Sequence, residues 1–117
     1  MHHYLVYVSH KYGGRDYNVE KARKICCDLA EQLPEVLFIP ALSVTCRRYS
    51  RRHYADDLSL LLELESRCDV VYMTEDWESS LGCQTEYEFA KRNGIPVAES
   101  YPELLAILNS LDREELK

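Results

Sequence analysis

A single acid preceded by serine and glycine is the most chemically suggestive feature of this chain. The run Asp76-Trp77-Glu78-Ser79-Ser80-Leu81-Gly82-Cys83-Gln84-Thr85-Glu86-Tyr87-Glu88-Phe89-Ala90 reads as a strand-to-helix turn with Glu86 within about the first turn of the helix. Unpaired backbone N–H groups and the helix dipole at such an N-terminus favour an anion, which predicts that Glu86 stays ionised. A carboxylate held ionised beside a pocket suits attack on a sugar C1′, where the transition state is oxocarbenium-like and a glycosyl-enzyme can follow. An acid placed there also stabilises a helix start without any chemistry, and the residues alone leave both possibilities open.

The loop Ser9-His10-Lys11-Tyr12-Gly13-Gly14-Arg15 offers a second set of candidates. Gly13 and Gly14 let the backbone approach a ligand closely, and Ser9, Tyr12 and Arg15 bring hydroxyl and cationic donors; an ordinary glycine turn is the alternative. His10 reads as structural. Arg47, Arg48, Arg51, Arg52 and His53 crowd one stretch of an otherwise acidic chain, where an arginine could meet a phosphate or pair with carboxylates or a partner subunit. Trp77, the sole tryptophan, could stack on a base, cover the site or pack on a neighbouring helix.

These loops need a frame, and the bulk properties limit its kind. At 117 residues there is room for one domain. Apolar residues at 46% and charged residues at 29% describe a globular protein and not a disordered one. The net charge of −6 argues against a binder of nucleic-acid polymers, which needs an excess of cations, yet leaves space for a local basic pocket. Residues 1–9 lack the basic lead and cleavage site of a signal peptide, and no run approaches the roughly 20 apolar residues of a membrane span. Cys26, Cys27, Cys46, Cys68 and Cys83 are odd in number, two are adjacent and none form C-x-x-C, against both a disulfide framework and a zinc site. The expectation is a cytoplasmic protein with no membrane association and no cofactor.

The apolar, β-branched segments 3–9, 36–39, 69–73 and 95–98 are predicted strands. Helices are predicted over 18–32, with Asn18 as its cap, 51–67, 83–93 and 102–111, and a loop over 41–50. Alternating strands and helices imply a parallel sheet covered on both faces, a Rossmann-like (flavodoxin-like) three-layer α/β/α sandwich with four or five mostly parallel strands. Ligands of such sheets sit beyond the carboxyl ends of the strands, which points to the loops at 9–18, 41–50 and 74–82.

The pattern Trp77-x-x-Ser80-x-Gly82-x-x-x-Glu86-x-x-x-Ala90, followed by Gly94-Ile95-Pro96-Val97, resembles the signature of the nucleoside 2-deoxyribosyltransferase-like superfamily. The superfamily includes deoxyribosyltransferases, 2′-deoxynucleoside 5′-phosphate N-hydrolases and cytidylate N-glycosidases. The first loop is similar to its opening motif, so the resemblance spans roughly Tyr4 to Val97. It implies that Glu86 is the nucleophile and that Ser80 contacts a 5′-phosphate. Ser9, Tyr12, Gly13, Gly14, Gly82 and Trp77 would surround a nucleotide or nucleoside, and the protein would be a homo-oligomer, a dimer or larger. One departure matters: the second acid of the enzymes falls on Leu61. Asp57, one turn earlier on nearly the same helix face, is the stand-in, while Asp69 is expected to be structural beside the site. The expected function is an N-glycosidase or deoxyribosyltransferase-like enzyme, or a nucleotide sensor or sequestering module that kept the pocket without the chemistry.

Overall fold

Strict alternation along the strands decides how this chain layers. The structure, a computed structural model, describes residues 3–45 and 50–115. Its strands are β1 (Tyr4–Ser9), β2 (Val36–Pro40), β3 (Val70–Met73) and β4 (Val97–Ala98). They pair in parallel in the order β2-β1-β3-β4. Tyr4, Val6 and Val8 of β1 join Val36, Phe38 and Val70 on one face, where α1 (Asp16–Gln32) and α5 (Tyr101–Glu115) add Cys26, Leu29, Leu104 and Leu108. On the other face Tyr7, Val71 and Met73 meet Ala41 of α2 (Ala41–Val44), Leu61 and Leu64 of α3 (Tyr54–Glu65), and Cys83 and Ala90 of α4 (Leu81–Arg92). Since successive strand residues face opposite sides, β1 supplies both cores, and the result is a Rossmann-like α/β/α fold. No helix among the described residues is long and apolar enough to cross a membrane.

Strand order also locates the crevice. From β1 the chain builds outward to β2, then returns to place β3 on the other side of β1, so the loops leaving β1 and β3 diverge. A crevice opens at such a switch point beyond the strand ends. Ser9 and Thr74 tie those ends together, the Ser9 carbonyl accepting from the Thr74 N–H at 3.1 Å and from its hydroxyl at 3.2 Å.

Several boundaries differ from expectation. Asn18 is not a cap: α1 begins at Asp16 behind an extended Arg15, and Asn18, buried in its first turn, sends its amide to the Tyr12 carbonyl at 2.8 Å. The loop expected over 41–50 contains α2; Cys46, Arg47, Arg48 and Tyr49 lie outside the described residues. Helix α3 starts at Tyr54 rather than Arg51, and α4 starts at Leu81 rather than Cys83, because the Ser80 hydroxyl accepts the Cys83 N–H at 3.3 Å and caps it.

Candidate active site

The site grows from the carboxyl end of β1. Tyr7 and Ser9, two residues apart, face the α4 layer and both reach Glu86. The Tyr7 hydroxyl donates to Oε2, and the Ser9 hydroxyl donates to Oε1 at 2.9 Å. Glu86 lies in the second turn of α4, and no acid occupies the first. The expectation of an anion secured by free N–H groups is therefore corrected. Burial disfavours the charge and outweighs the two hydroxyl donors, and the carboxyl titrates at about 7 instead of the usual 4.5. Near neutral pH it is divided between its ionised and neutral forms. Burial and the neighbouring Glu86 push the Tyr7 phenol well above its ordinary value, so Tyr7 remains a donor.

Glu86 opens onto a cleft of about 970 Å³, at the upper end of the range for small-molecule sites. The β1–α1 loop contributes Lys11, Tyr12, Gly13 and Arg15, the α3 side contributes Arg51, Tyr54, Asp57, Leu58 and Leu61, and the start of α4 contributes Ser80, Gly82 and Cys83. Gly13 and Gly14 have φ of +59° and +71° between Tyr12 and Arg15, whose N–H returns to the Tyr12 carbonyl at 3.1 Å. Two successive positive φ values are what a type I′ turn requires, so the glycine pair and Asn18 together shape this loop. At Gly82 an added Cβ would stand 3.1 Å from the Tyr54 hydroxyl; the small residue lets the starts of α3 and α4 close on each other. Lys11 reaches across to Asp76 at 3.9 Å, linking the loops after β1 and β3.

A family model covers residues 4–99 of this architecture. The chain belongs to the DUF4406 family. That family is described as a domain of unknown function, and the match takes in all four strands and every residue named for the cleft. No curated protein and no solved structure matches the chain.

Within this DUF4406 domain the expected residues fall into distinct places. Tyr12, Gly13, Ser80, Gly82, Asp57 and Glu86 line one cleft, and Ser9 holds Glu86 from behind. Leu61, where the resemblance leads one to expect a second acid, lines it too. Ser80 has a structural duty as the α4 cap in addition to its place at the cleft. Gly14 sits in the turn without lining the cleft, and Trp77 faces away from it: its ring stacks on Tyr87 at 4.6 Å and its N–H goes to Glu99 at 2.8 Å. Asp69 is structural as expected but not beside the site. It accepts the Leu5 N–H at 2.8 Å, at the amino end of the sheet. Of the basic cluster Arg51 lines the cleft, Arg52 is exposed, and Arg47 and Arg48 lie outside the described residues. His10 is buried, with Nδ1 2.7 Å from the Lys11 carbonyl, and burial lowers its proton affinity. Among the described residues no cluster of three or more His, Cys, Asp or Glu could hold a metal ion.

Two members of the site escape a reading of motifs. Tyr7 is visible only through strand alternation, which puts it on the same face as Ser9. Glu65 is fully buried and within electrostatic range of both Glu86 and Tyr7. Its signal was the helical series Leu58, Leu61, Glu65, which continues the inner face of α3 with an acid.

Proposed function

We propose that the cleft binds a nucleotide and that Glu86 cleaves its N-glycosidic bond, by hydrolysis or by transfer of the sugar to another base. The observation carrying this reading is a buried carboxylate, oriented by two hydroxyls, that lines a cleft together with Lys11, Arg15, Lys21 and Arg51. Cations in the lining suit a phosphate, and the apolar Leu58 and Leu61 in the same lining suit the low-polarity surroundings in which an oxocarbenium-like state gains most from a fixed negative charge. The similarity of Ser80, Gly82 and Glu86 to the deoxyribosyltransferase-like signature agrees with this chemistry.

In the first step a Glu86 oxygen bonds to C1′ as the C1′–N bond breaks; the bond pair leaves with the base, whose nitrogen takes a proton from Asp57. Water then adds to C1′, losing its proton to Asp57, and the ester bond breaks to return the Glu86 carboxylate. A sugar acceptor base replaces water in transfer. The hydroxyls of Tyr7 and Ser9 fix the carboxylate and receive its charge again when the ester is cleaved.

Leu61 favours a second reading, since an apolar residue stands where the enzymes carry their partner acid: the cleft binds a nucleotide without cleaving it. Incubation with a panel of nucleoside 5′-monophosphates, assayed for free base by chromatography and for binding by thermal shift, separates the two. Base release supports the glycosidase. Binding without release from any member overturns it in favour of a sensor, and no binding overturns both.

A further inference from the structure

Among the described residues, one fully buried polar side chain stands apart from the rest. Ser9, His10, Asn18, Thr74 and Glu86 are buried and each reaches a hydrogen-bond partner. Glu65 is 0% exposed, and neither carboxyl oxygen meets one. An unsatisfied buried group is destabilising and calls for an explanation beyond packing. Packing alone would be served by another leucine, as at Leu58, Leu61 and Leu64 on the same helix.

The surroundings indicate what the acid does. Glu65 ends α3, where the helix dipole disfavours an anion. The titratable groups around it are Tyr7 from β1, Glu86 from α4 and Cys68 from the turn before β3; the adjacent Asp69 is engaged by the Leu5 N–H. None of these is a cation. Burial first, and Glu86 second, raise the Glu65 carboxyl to about 9, so at neutral pH it carries a hydrogen it can donate. Tyr7 has spent its own hydrogen on Glu86 and keeps lone pairs on the phenol oxygen.

We propose that Glu65 is a positioning residue that acts on Glu86 through Tyr7: its buried, otherwise unpartnered carboxyl supplies a hydrogen to the Tyr7 oxygen, and Tyr7 thereby holds its own hydrogen firmly on the reacting carboxylate. Neither Glu65 oxygen is tied elsewhere, so its hydrogen is free for the Tyr7 oxygen. Hydrogen bonds in series polarise one another, so the Tyr7 hydroxyl becomes a better partner for a charged Glu86. The benefit falls on the step in which the ester is cleaved and that charge returns. Ionisation of Glu65 removes the donor and brings a second negative charge beside the first.

The inference rests on Glu86 as the reacting group, and its test uses Glu65→Gln, which keeps a donor and cannot ionise, with Glu65→Leu, which has none. The Glu86 carboxyl is followed by ¹³C NMR against pH, and base release is measured over the same range. In the parent protein the Glu86 signal should show a main step and a second, smaller one near 9 from Glu65. Glu65→Gln should abolish the second step and keep kcat within about threefold, while Glu65→Leu should lower kcat by about tenfold or more with KM unchanged. The alkaline fall in kcat should vanish in Glu65→Gln. Absence of the second step, or equal kcat in the two variants, overturns the inference. If Glu65→Leu does not fold, the titration and alkaline limb of Glu65→Gln decide. If the parent protein releases no base from any nucleotide, the proposed function fails, and the coupling of the three groups is judged by the titration alone.

Discussion

At the scale of residues, the proposed function rests the chemistry on one carboxylate and the response to pH on two. Glu86→Gln retains shape and hydrogen-bonding reach but cannot form the ester, so base release should fall at least about a thousandfold while nucleotide binding persists. In the parent protein kcat/KM should rise with pH through about 7 as Glu86 ionises. Stability runs the other way. A carboxyl whose folded value exceeds its unfolded one binds protons more tightly when folded, so its contribution is complete below about 4.5 and is lost as pH rises through the folded value. For Glu86 that loss runs from about 4.5 to about 7, and for Glu65 from about 4.5 to about 9. Urea unfolding at pH 6 and pH 9 should therefore show Glu65→Gln gaining on the parent protein as pH rises. An equal difference at both pH values would mean that Glu65 titrates normally.

At the scale of elements, the loops around the cleft depend on a few side-chain ties that can be cut singly. Asn18→Ala removes the bond to the Tyr12 carbonyl, which still accepts from Arg15. The loss should be about 1 kcal/mol, seen as a melting midpoint lower by about 3–6 °C together with weaker nucleotide binding. Ser80→Ala removes the α4 cap at a similar cost of about 1 kcal/mol. Ser80→Asp restores a capping oxygen yet brings a charge to the cleft, so stability should recover and nucleotide affinity should not; recovery of both would leave Ser80 with capping alone. Much of this was legible in the sequence: short apolar, β-branched runs exposed the strands, helical spacing gave the faces of α1 and α5, and the glycine pair marked the turn. Asn18 was misplaced because a residue suited to capping also suits a tertiary amide bond, and only the fold decides between them. Glu86 was placed two residues too early in the helix because α4 begins at Leu81, behind the Ser80 cap, and not at Cys83. Glu65 was passed over because an acid in a leucine-rich helix ordinarily points to solvent.

At the scale of the whole molecule, charge is distributed against its own average. The chain carries −6 overall, yet Lys11, Arg15, Lys21 and Arg51 gather at the cleft that β1 and β3 open by diverging at the switch point. Under the proposed function an anionic ligand is repelled by the net charge and attracted at one edge, which would give these cations a role in discrimination. A nucleoside 5′-monophosphate should raise the melting midpoint more than the same nucleoside at low salt, and the gap should narrow as salt shortens the screening length to about 8 Å near 0.15 M. Replacing Lys21 and Arg51 by methionine keeps most of the side-chain bulk and removes two charges at solvent-exposed positions, so the gap at low salt should shrink by about tenfold in affinity. The response to the nucleoside should stay unchanged, because Glu86, Tyr7 and Ser9 are untouched. If instead nucleoside and nucleotide weaken together, the two cations shape the cleft and do not select its ligand; if neither changes, the phosphate is recognised by the Gly13-Gly14 turn and the α4 N-terminus without them.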